Sequence, residues 1–316
     1  MQNLFSGALS FREYLRDPQI NFSAREISAF WILGAHQEHM TIFLNGRFVP
    51  EAEAVVPVND RGFMYGDGLF ESVRVVNGRP FRLAQHLERM TRGADFLKIR
   101  SPYAAKELQS FVEQLIETNE MSEAVLRMTL TRGPGQRGYL PVTEAKPTVV
   151  MTLHAAPAAE NPMPWSLITS SFRVLAADPL SSFKTLSKLT HVMARAEAAE
   201  QGADEALLIN TNGEVAETAS GNIFWIYNDQ ICTTPTGRGV LPGITRAVVL
   251  EICQALGLQT NKRVIKPEAL RNSEGIFLTQ SVFGIVPVAS FDREPIAPSP
   301  LVDQIFSAYR ELLAKS

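Results

Sequence analysis

The chain has 316 residues, 45% of them hydrophobic and 20% charged, with a formal net charge of −3. Those values suit a globular chain of about two domains with sizeable cores. They exclude a broadly basic surface for nucleic acid or an anionic membrane as the main partner, while leaving room for a local basic pocket. The two cysteines, Cys232 and Cys253, show no CxxC spacing. They read as buried thiols in a reducing, cytoplasmic compartment rather than as a disulfide or zinc framework. The five histidines (His36, His39, His86, His154, His191) show no metal-ligand spacing, so no metal is expected. No apolar run reaches the ~18 residues of a membrane span. The early run at 27–35 (ISAFWILGA) follows Glu26 without a basic stretch directly before it, which argues against a secretory leader.

Residues 1–39 have mixed polarity and no clean period, and they read as an N-terminal extension, disordered or upstream of a start at Met40. From Met40 the pattern changes. TIFLNGRFV alternates as two strands about an Asn45-Gly46 turn, and LFESVRVV continues as a strand to a second turn at Asn77-Gly78, followed by RPFRL. LAQHLERMTRGADFL places Leu83, Leu87 and Met90 at helical spacing, and AAKELQSFVEQLIETNE repeats that pattern. AVLRMTLTRG and TVVMTLHAA are β-rich. These elements predict a small α+β domain over 40–156.

The stretch around 157–165, with its prolines and small residues, is the best linker in the chain. A larger domain is predicted over 166–316. It opens with the strand SLITSSFRV, and a helix around THVMARAEAAEQG stops at Gly202. EALLIN, EVAE, NIFWIYND and QICTT read as successive strands with tight turns. LPGITRAVVLEICQALGL is a helix announced by Pro242 and Gly243 and stopped by Gly257. A short helix, the strand pair in GIFLTQSVFGIVPVASFD and an amphipathic closing helix complete the chain. There are no internal repeats and no low-complexity tract.

Four places could carry chemistry. In LPGITR, Gly243 admits close approach, and Ile244 and Thr245 open a helix whose first N–H groups lack intrahelical partners, which makes an anion cup; an ordinary helix start is the plainer alternative. In ETASGN, a carboxylate, Glu217, sits at the edge of a loop of small residues where a flat ligand could lie; a surface hairpin reads the same way. In SSFKTLSKL, Lys184 stands among Ser, Phe, Thr and Leu, a setting that lowers an amine's pKa and favours its neutral, nucleophilic form. Lys188, one helical turn on, competes for that role. In HLERM, Arg89 offers the bidentate geometry that suits phosphate, although exposed helix arginines are routine.

Taken in order, these segments resemble the class IV aminotransferases, the fold-type IV pyridoxal-phosphate enzymes that include branched-chain and D-amino-acid aminotransferases and aminodeoxychorismate lyases. The resemblance runs from about Met40 to the C-terminus through FLNGRFVP, DRGFMYGDGLFESVRV, HLERM, LTRGPGQRGY, FKTLSKL, GADEALLIN, NGEVAETASGNIFWI, LPGITR and IVPV. It implies two α/β domains with pyridoxal 5'-phosphate between them, and a homodimer in which a partner loop helps close the site. Lys184 matches the lysine that carries the cofactor and then acts as the base. Glu217 matches the carboxylate facing the pyridine nitrogen. Arg89, Ile244, Thr245 and Ser281 match the phosphate contacts. Tyr65 matches a residue lining the substrate pocket, and Arg127, Arg132 and Arg137 are the candidates for the substrate carboxylate.

The resemblance implies a transaminase moving an amino group between an amino acid and a 2-oxo acid, of branched-chain or D-amino-acid type. The alternative is a 4-amino-4-deoxychorismate lyase releasing pyruvate and 4-aminobenzoate. Ser72 stands where branched-chain enzymes have the Gly of FEGIR, and Gly138-Tyr139 where D-amino-acid enzymes often have a His. RGPGQRGY is closer to the lyases, which usually have a lysine at the position of Arg127.

Overall fold

The computed structural model describes residues 40–141, 146–157 and 163–316. The extension expected over 1–39 and residues 158–162 of the expected linker lie outside the described residues. Trp165, the last residue of the expected linker, already belongs to a strand.

The first half is built on a six-stranded sheet. Strands β1 (Thr41–Leu44) and β2 (Arg47–Pro50) form the hairpin expected from Asn45-Gly46, both of which have positive φ, as a type I′ turn requires. A short helix, α1 (Arg61–Tyr65), leads into β3 (Gly68–Val76), which pairs with the brief β4 (Arg79–Pro80). The expected strand through RPFRL stops there. Pro80 has no N–H to extend a ladder, and Phe81 leaves the sheet to pack edge-on against Tyr309 in the second half, 6.0 Å between ring centroids. Helices α2 (Leu83–Leu97) and α3 (Ala105–Thr118) follow, then β5 (Ala124–Thr131) and β6 (Thr148–Ala155). The order is β2-β1-β6-β5-β3-β4, and every pairing is antiparallel.

Strand parity decides what each face of β3 does. Leu69, Val73 and Val75 point to one core with Leu87 and Met90 of α2 and Val112 and Leu115 of α3. Glu71 shares that parity, so the pleat carries a carboxylate into the helix-facing interior, where it is fully buried. Phe70 and Ser72 point the other way, toward the second half of the chain.

The second half carries a nine-stranded mixed sheet. Its strands are β7 (Trp165–Val174), β8 (Glu205–Asn210), β9 (Val215–Thr218), β10 (Asn222–Tyr227), β11 (Gln230–Thr233), β12 (Thr260–Lys262), β13 (Gly275–Gln280), β14 (Gly284–Phe291) and β15 (Glu294–Pro295). Between β7 and β8 lies α4 (Leu189–Glu200), whose small Ala194 and Ala198 allow it to sit close on Ile168, Ala206 and Leu208. Helices α5 (Ile244–Ala255) and α7 (Pro300–Ala314) cover one face through Val248, Val249, Ile252 and Ile305, against Phe224, Ile226 and Phe277. The alternate residues Ile223 and Trp225 of β10 fill a separate core with Leu278, Val286 and Phe291. A single turn of helix, α6 (Pro267–Leu270), precedes β13.

The halves are joined at the start of β3. The Phe70 amide donates to the Lys184 carbonyl at 2.9 Å, and the Leu186 amide to the Gly68 carbonyl at 3.0 Å. Leu69 and Thr185 thereby form an antiparallel bridge. Lys184 is held in this extended segment, whereas Lys188 is the residue just before α4. The two lysines are therefore not one turn apart on a helix, as their spacing suggests. Gly68 permits the junction: a Cβ there would lie 2.5 Å from the Leu130 carbonyl oxygen and 2.8 Å from a Leu186 methyl. Gly68→Val is expected to destabilise the protein by about 1–3 kcal/mol through overpacking, read as a lower urea midpoint with an unchanged slope. An unchanged midpoint would show that the junction tolerates separation.

Candidate active site

A cavity of about 690 Å³ opens where the halves meet, and its wall includes Lys184, Arg89, Glu217, Ile244, Thr245 and Ser281. The six residues expected around the cofactor, drawn from separate stretches of sequence, thus share one cavity. Each arrives by a different local rule.

Lys184 enters from the bridged segment, with its Nζ 4.6 Å from the centroid of the Phe70 ring. Burial pushes its pKa down to about 8, and the nearby Arg89 guanidinium adds to that; Glu71 opposes it. A substantial fraction of the amine is then neutral near pH 8, the form that attacks a carbonyl.

Arg89 projects from α2, where His86 and Arg89 fall on one face. Its Nε donates to Glu71 Oε1 at 2.8 Å and its Nη2 to Glu71 Oε2 at 2.6 Å, a two-pronged pair. His86 Nδ1 lies 2.7 Å from the same Oε2. Burial alone would raise the Glu71 carboxyl, but the hydrogen bonds from Arg89 and His86 outweigh it and hold the pKa at about 2. Burial lowers the pKa of His86, which favours a neutral ring whose Nδ1–H donates to the carboxylate. Arg89 Nη1 donates to the Pro242 carbonyl at 2.9 Å and ties α2 to the loop before α5.

That loop forms the anion end of the cavity. Gly243 caps α5 without a side-chain hydrogen bond, so the first amides of the helix remain open to a ligand. A Cβ on Gly243 would lie 2.1 Å from Asn222 Oδ1, so the close approach of these two residues requires glycine. Thr279 Oγ1, in the same wall, is buried without a partner. A buried hydroxyl of that kind is a donor awaiting an acceptor.

Glu217 stands on β9, buried, and also lines the cavity. Its Oε2 accepts from the Leu241 amide at 2.9 Å and from Asn222 Nδ2 at 3.3 Å. His191 Nε2, on α4, lies 3.4 Å from its Oε1. The cavity therefore presents an amine, a hydrogen-bonded carboxylate and an amide-rich helix start beside Arg89. That donor set fits a flat aromatic aldehyde with a ring nitrogen at one end and a phosphate at the other.

The four residues expected at the substrate lie off this cavity wall. Arg127 comes nearest, with its guanidinium carbon 3.5 Å from the Phe70 ring centroid and its backbone opposite Ser72 in the β3–β5 register. Burial lowers its pKa to about 10, with Glu71 opposing. Arg132 is held by a network of its own. Its Nε and Nη2 donate to Asp67 at 2.8 and 3.0 Å, and its other donors reach the Leu97 and Lys98 carbonyls. Buried in that network, it fixes the loop before β3. Tyr65 accepts at its hydroxyl from the Gly138 amide, and Arg137 sits exposed in the same loop. Both belong to a loop cluster secured by Arg61, which donates to the Gly138 and Tyr139 carbonyls.

Sequence reasoning passed over Glu71, His86, Asn222 and His191. Two signals were available for the first pair: an acidic residue at a core parity of β3, and a His three residues before Arg89. Nothing local marks Asn222 or His191. Among the described residues, no group of His, Cys, Asp and Glu is arranged to hold a metal ion, and no helix is long and apolar enough to cross a membrane.

Comparison with known proteins agrees with this geometry. A family model for the amino-transferases of class IV matches residues 68–291. The D-alanine aminotransferase of Bacillus licheniformis is 31% identical over 275 residues, covering 85% of this chain and 95% of the relative. The aminodeoxychorismate lyase of Bacillus subtilis is 28% identical over 254 residues, 80% and 87% respectively. A T.th. branched-chain amino acid aminotransferase, solved with pyridoxamine 5'-phosphate, superposes with a TM-score of 0.83 at 27% identity, covering 88% of this chain and 95% of that one.

The amine itself gives a direct test. Acylation of Lys184 in the cofactor-free protein, followed peptide by peptide, is expected to rise with pH about a midpoint near 8. Exposed lysines should rise only near ~10. A Lys184 midpoint in that upper range would contradict a desolvated amine.

Proposed function

Because the chain belongs to the class IV aminotransferases, we propose that it transfers amino groups between an amino acid and a 2-oxo acid, using pyridoxal 5'-phosphate carried on Lys184. One observation carries this reading: a desolvated lysine, a buried carboxylate and an uncapped helix start line a single cavity. The T.th. structure with pyridoxamine 5'-phosphate supports the cofactor.

When bound, the cofactor supplies an electron sink for the bond broken at the amino acid's α-carbon. The protein does the rest. The open amides at Ile244 and Thr245, with Arg89 and Ser281, hold the phosphate and set the position of the ring. Glu217, kept in place by the Leu241 amide and Asn222, holds a proton on the ring nitrogen. Lys184 Nζ first secures the aldehyde. Once free, Lys184 Nζ would serve as the base that moves the α-proton. Phe70, packed beside the amine, limits the access of water to that transfer.

The substrate is of branched-chain or D-amino-acid type, a reading supported by the names of the T.th. and Bacillus licheniformis relatives. Of the arginines expected at the substrate, Arg127, lying over the Phe70 ring of the cavity wall, is the one assigned the substrate carboxylate. Lyase activity is the second reading, favoured by RGPGQRGY and by the Bacillus subtilis relative. The chain divides into two domains about the segment 157–165 and works in a reducing cytoplasm, as the buried free thiols Cys232 and Cys253 suggest. It functions as a homodimer. Phe63 is 77% exposed, and Tyr139 and Leu140 are each 87% exposed, large apolar side chains that a second copy would cover.

The purified protein is expected to show a visible cofactor band that particular L- or D-amino acids bleach, and Lys184→Ala is expected to abolish both the band and turnover. A band that no amino acid bleaches, with pyruvate released from aminodeoxychorismate, would identify the lyase. Light scattering is expected to give twice the 34.9 kDa chain mass; a monomer would contradict the assembly.

A further inference from the structure

Glu217 has two oxygens in unequal surroundings. Oε2 is engaged twice, by the Leu241 amide and by Asn222. Among the described residues, Oε1 has one hydrogen-bond neighbour, His191 Nε2 at 3.4 Å. A carboxylate can only accept, so any hydrogen bond across that gap needs the imidazole proton on Nε2.

The other ring nitrogen sharpens the point. His191 Nδ1 is buried and has no hydrogen-bond partner. In the neutral ring with Nε2–H, Nδ1 is a bare acceptor. The opposite tautomer would bury an unpaired N–H at Nδ1 and turn a lone pair on Nε2 toward the carboxylate, which is worse on both counts. An apolar side chain could fill this part of the α4 wall without either penalty. Among the described residues, the half-buried imidazole finds its hydrogen-bond partner in Glu217.

We propose that His191 is a positioning residue for Glu217, donating from Nε2 to Oε1 so that the carboxylate keeps one orientation at the cavity wall. The backbone amide and Asn222 hold one oxygen; His191 holds the other. The carboxylate then cannot swing about its final torsion, and the charge it presents to a ring nitrogen is fixed before any ligand arrives. Lys188, on the same approach to α4, adds positive charge facing the same carboxylate, and burial lowers its pKa while Glu217 opposes the shift. The catalytic consequence rests on the function proposed above; the contact itself does not.

The test has two arms. In protein labelled with ¹⁵N-histidine, long-range ¹⁵N–¹H correlation is expected to show His191 protonated at Nε2 and bare at Nδ1, and Glu217→Ala is expected to erase that preference. In the holoenzyme, His191→Leu is expected to keep its cofactor and melting temperature while kcat falls about tenfold, the loss of one hydrogen bond to a charged group, with little change in KM. His191→Gln, which retains a donor, should recover most of that rate. A proton on Nδ1 alone, or a wild-type rate in His191→Leu, overturns the proposal. Equal losses of rate and melting temperature in both variants would mark His191 as merely structural and overturn it too. If the wild-type protein takes up no pyridoxal phosphate, the functional reading fails, and the tautomer measurement still decides the contact.

Discussion

The pair between Glu71 and Arg89 is the constraint on which the site depends. Burying two opposite charges costs several kcal/mol each in lost hydration, recovered only when geometry and the remaining hydrogen bonds are close to ideal. Here both Glu71 oxygens are met by Arg89, and His86 adds a third contact. The remaining Arg89 contact crosses to the Pro242 carbonyl. One ion pair therefore fixes the β3 pleat, the face of α2 and the loop that opens the anion cup. It also sets the field at Lys184, where Arg89 reinforces the effect of burial and Glu71 opposes it.

The chemistry sits where parts distant in sequence are forced together. Phe70 and Lys184 share a backbone bridge, Arg89 touches Pro242, Phe81 packs on Tyr309 and Arg82 pairs with Glu251. These contacts join the first sheet to the second, and the cavity is the space they leave. A lysine that would be solvated in a separated half is desolvated here by the other half. Its altered basicity is a property of the junction.

The arginines show how packing sorts residues of one type. Arg89 and Arg132 are buried and Arg127 is half-buried, and each answers to a different neighbour. Arg89 has a carboxylate partner and lines the cavity. Arg132 has a carboxylate partner and secures a loop. Arg127 lies over an aromatic ring, and no ion pair to it is formed among the described residues. A cation without an ion pair beside a cavity is free to respond to a ligand, so the structure separates Arg127 from Arg132, which the chain alone presents as equals.

Local patterning was sufficient for most of the elements, though not for the end of β4 at Pro80 or the start of β7 at Trp165. The bounds of α2 and β8 follow from periodicity, and the hairpin at Asn45-Gly46 from turn chemistry, because a helix stripe, a pleat and a positive φ depend on residues a few positions apart. The order of the motifs identified the family and pointed to Lys184, Glu217, Arg89 and the LPGIT helix start. What the chain could not disclose is which side chains meet. Glu71 with Arg89, Arg132 with Asp67, and His191 with Glu217 are pairings set by sheet order and helix placement. Their energies arise from desolvation and hydrogen-bond geometry, and those exist only once the two halves have closed on one another.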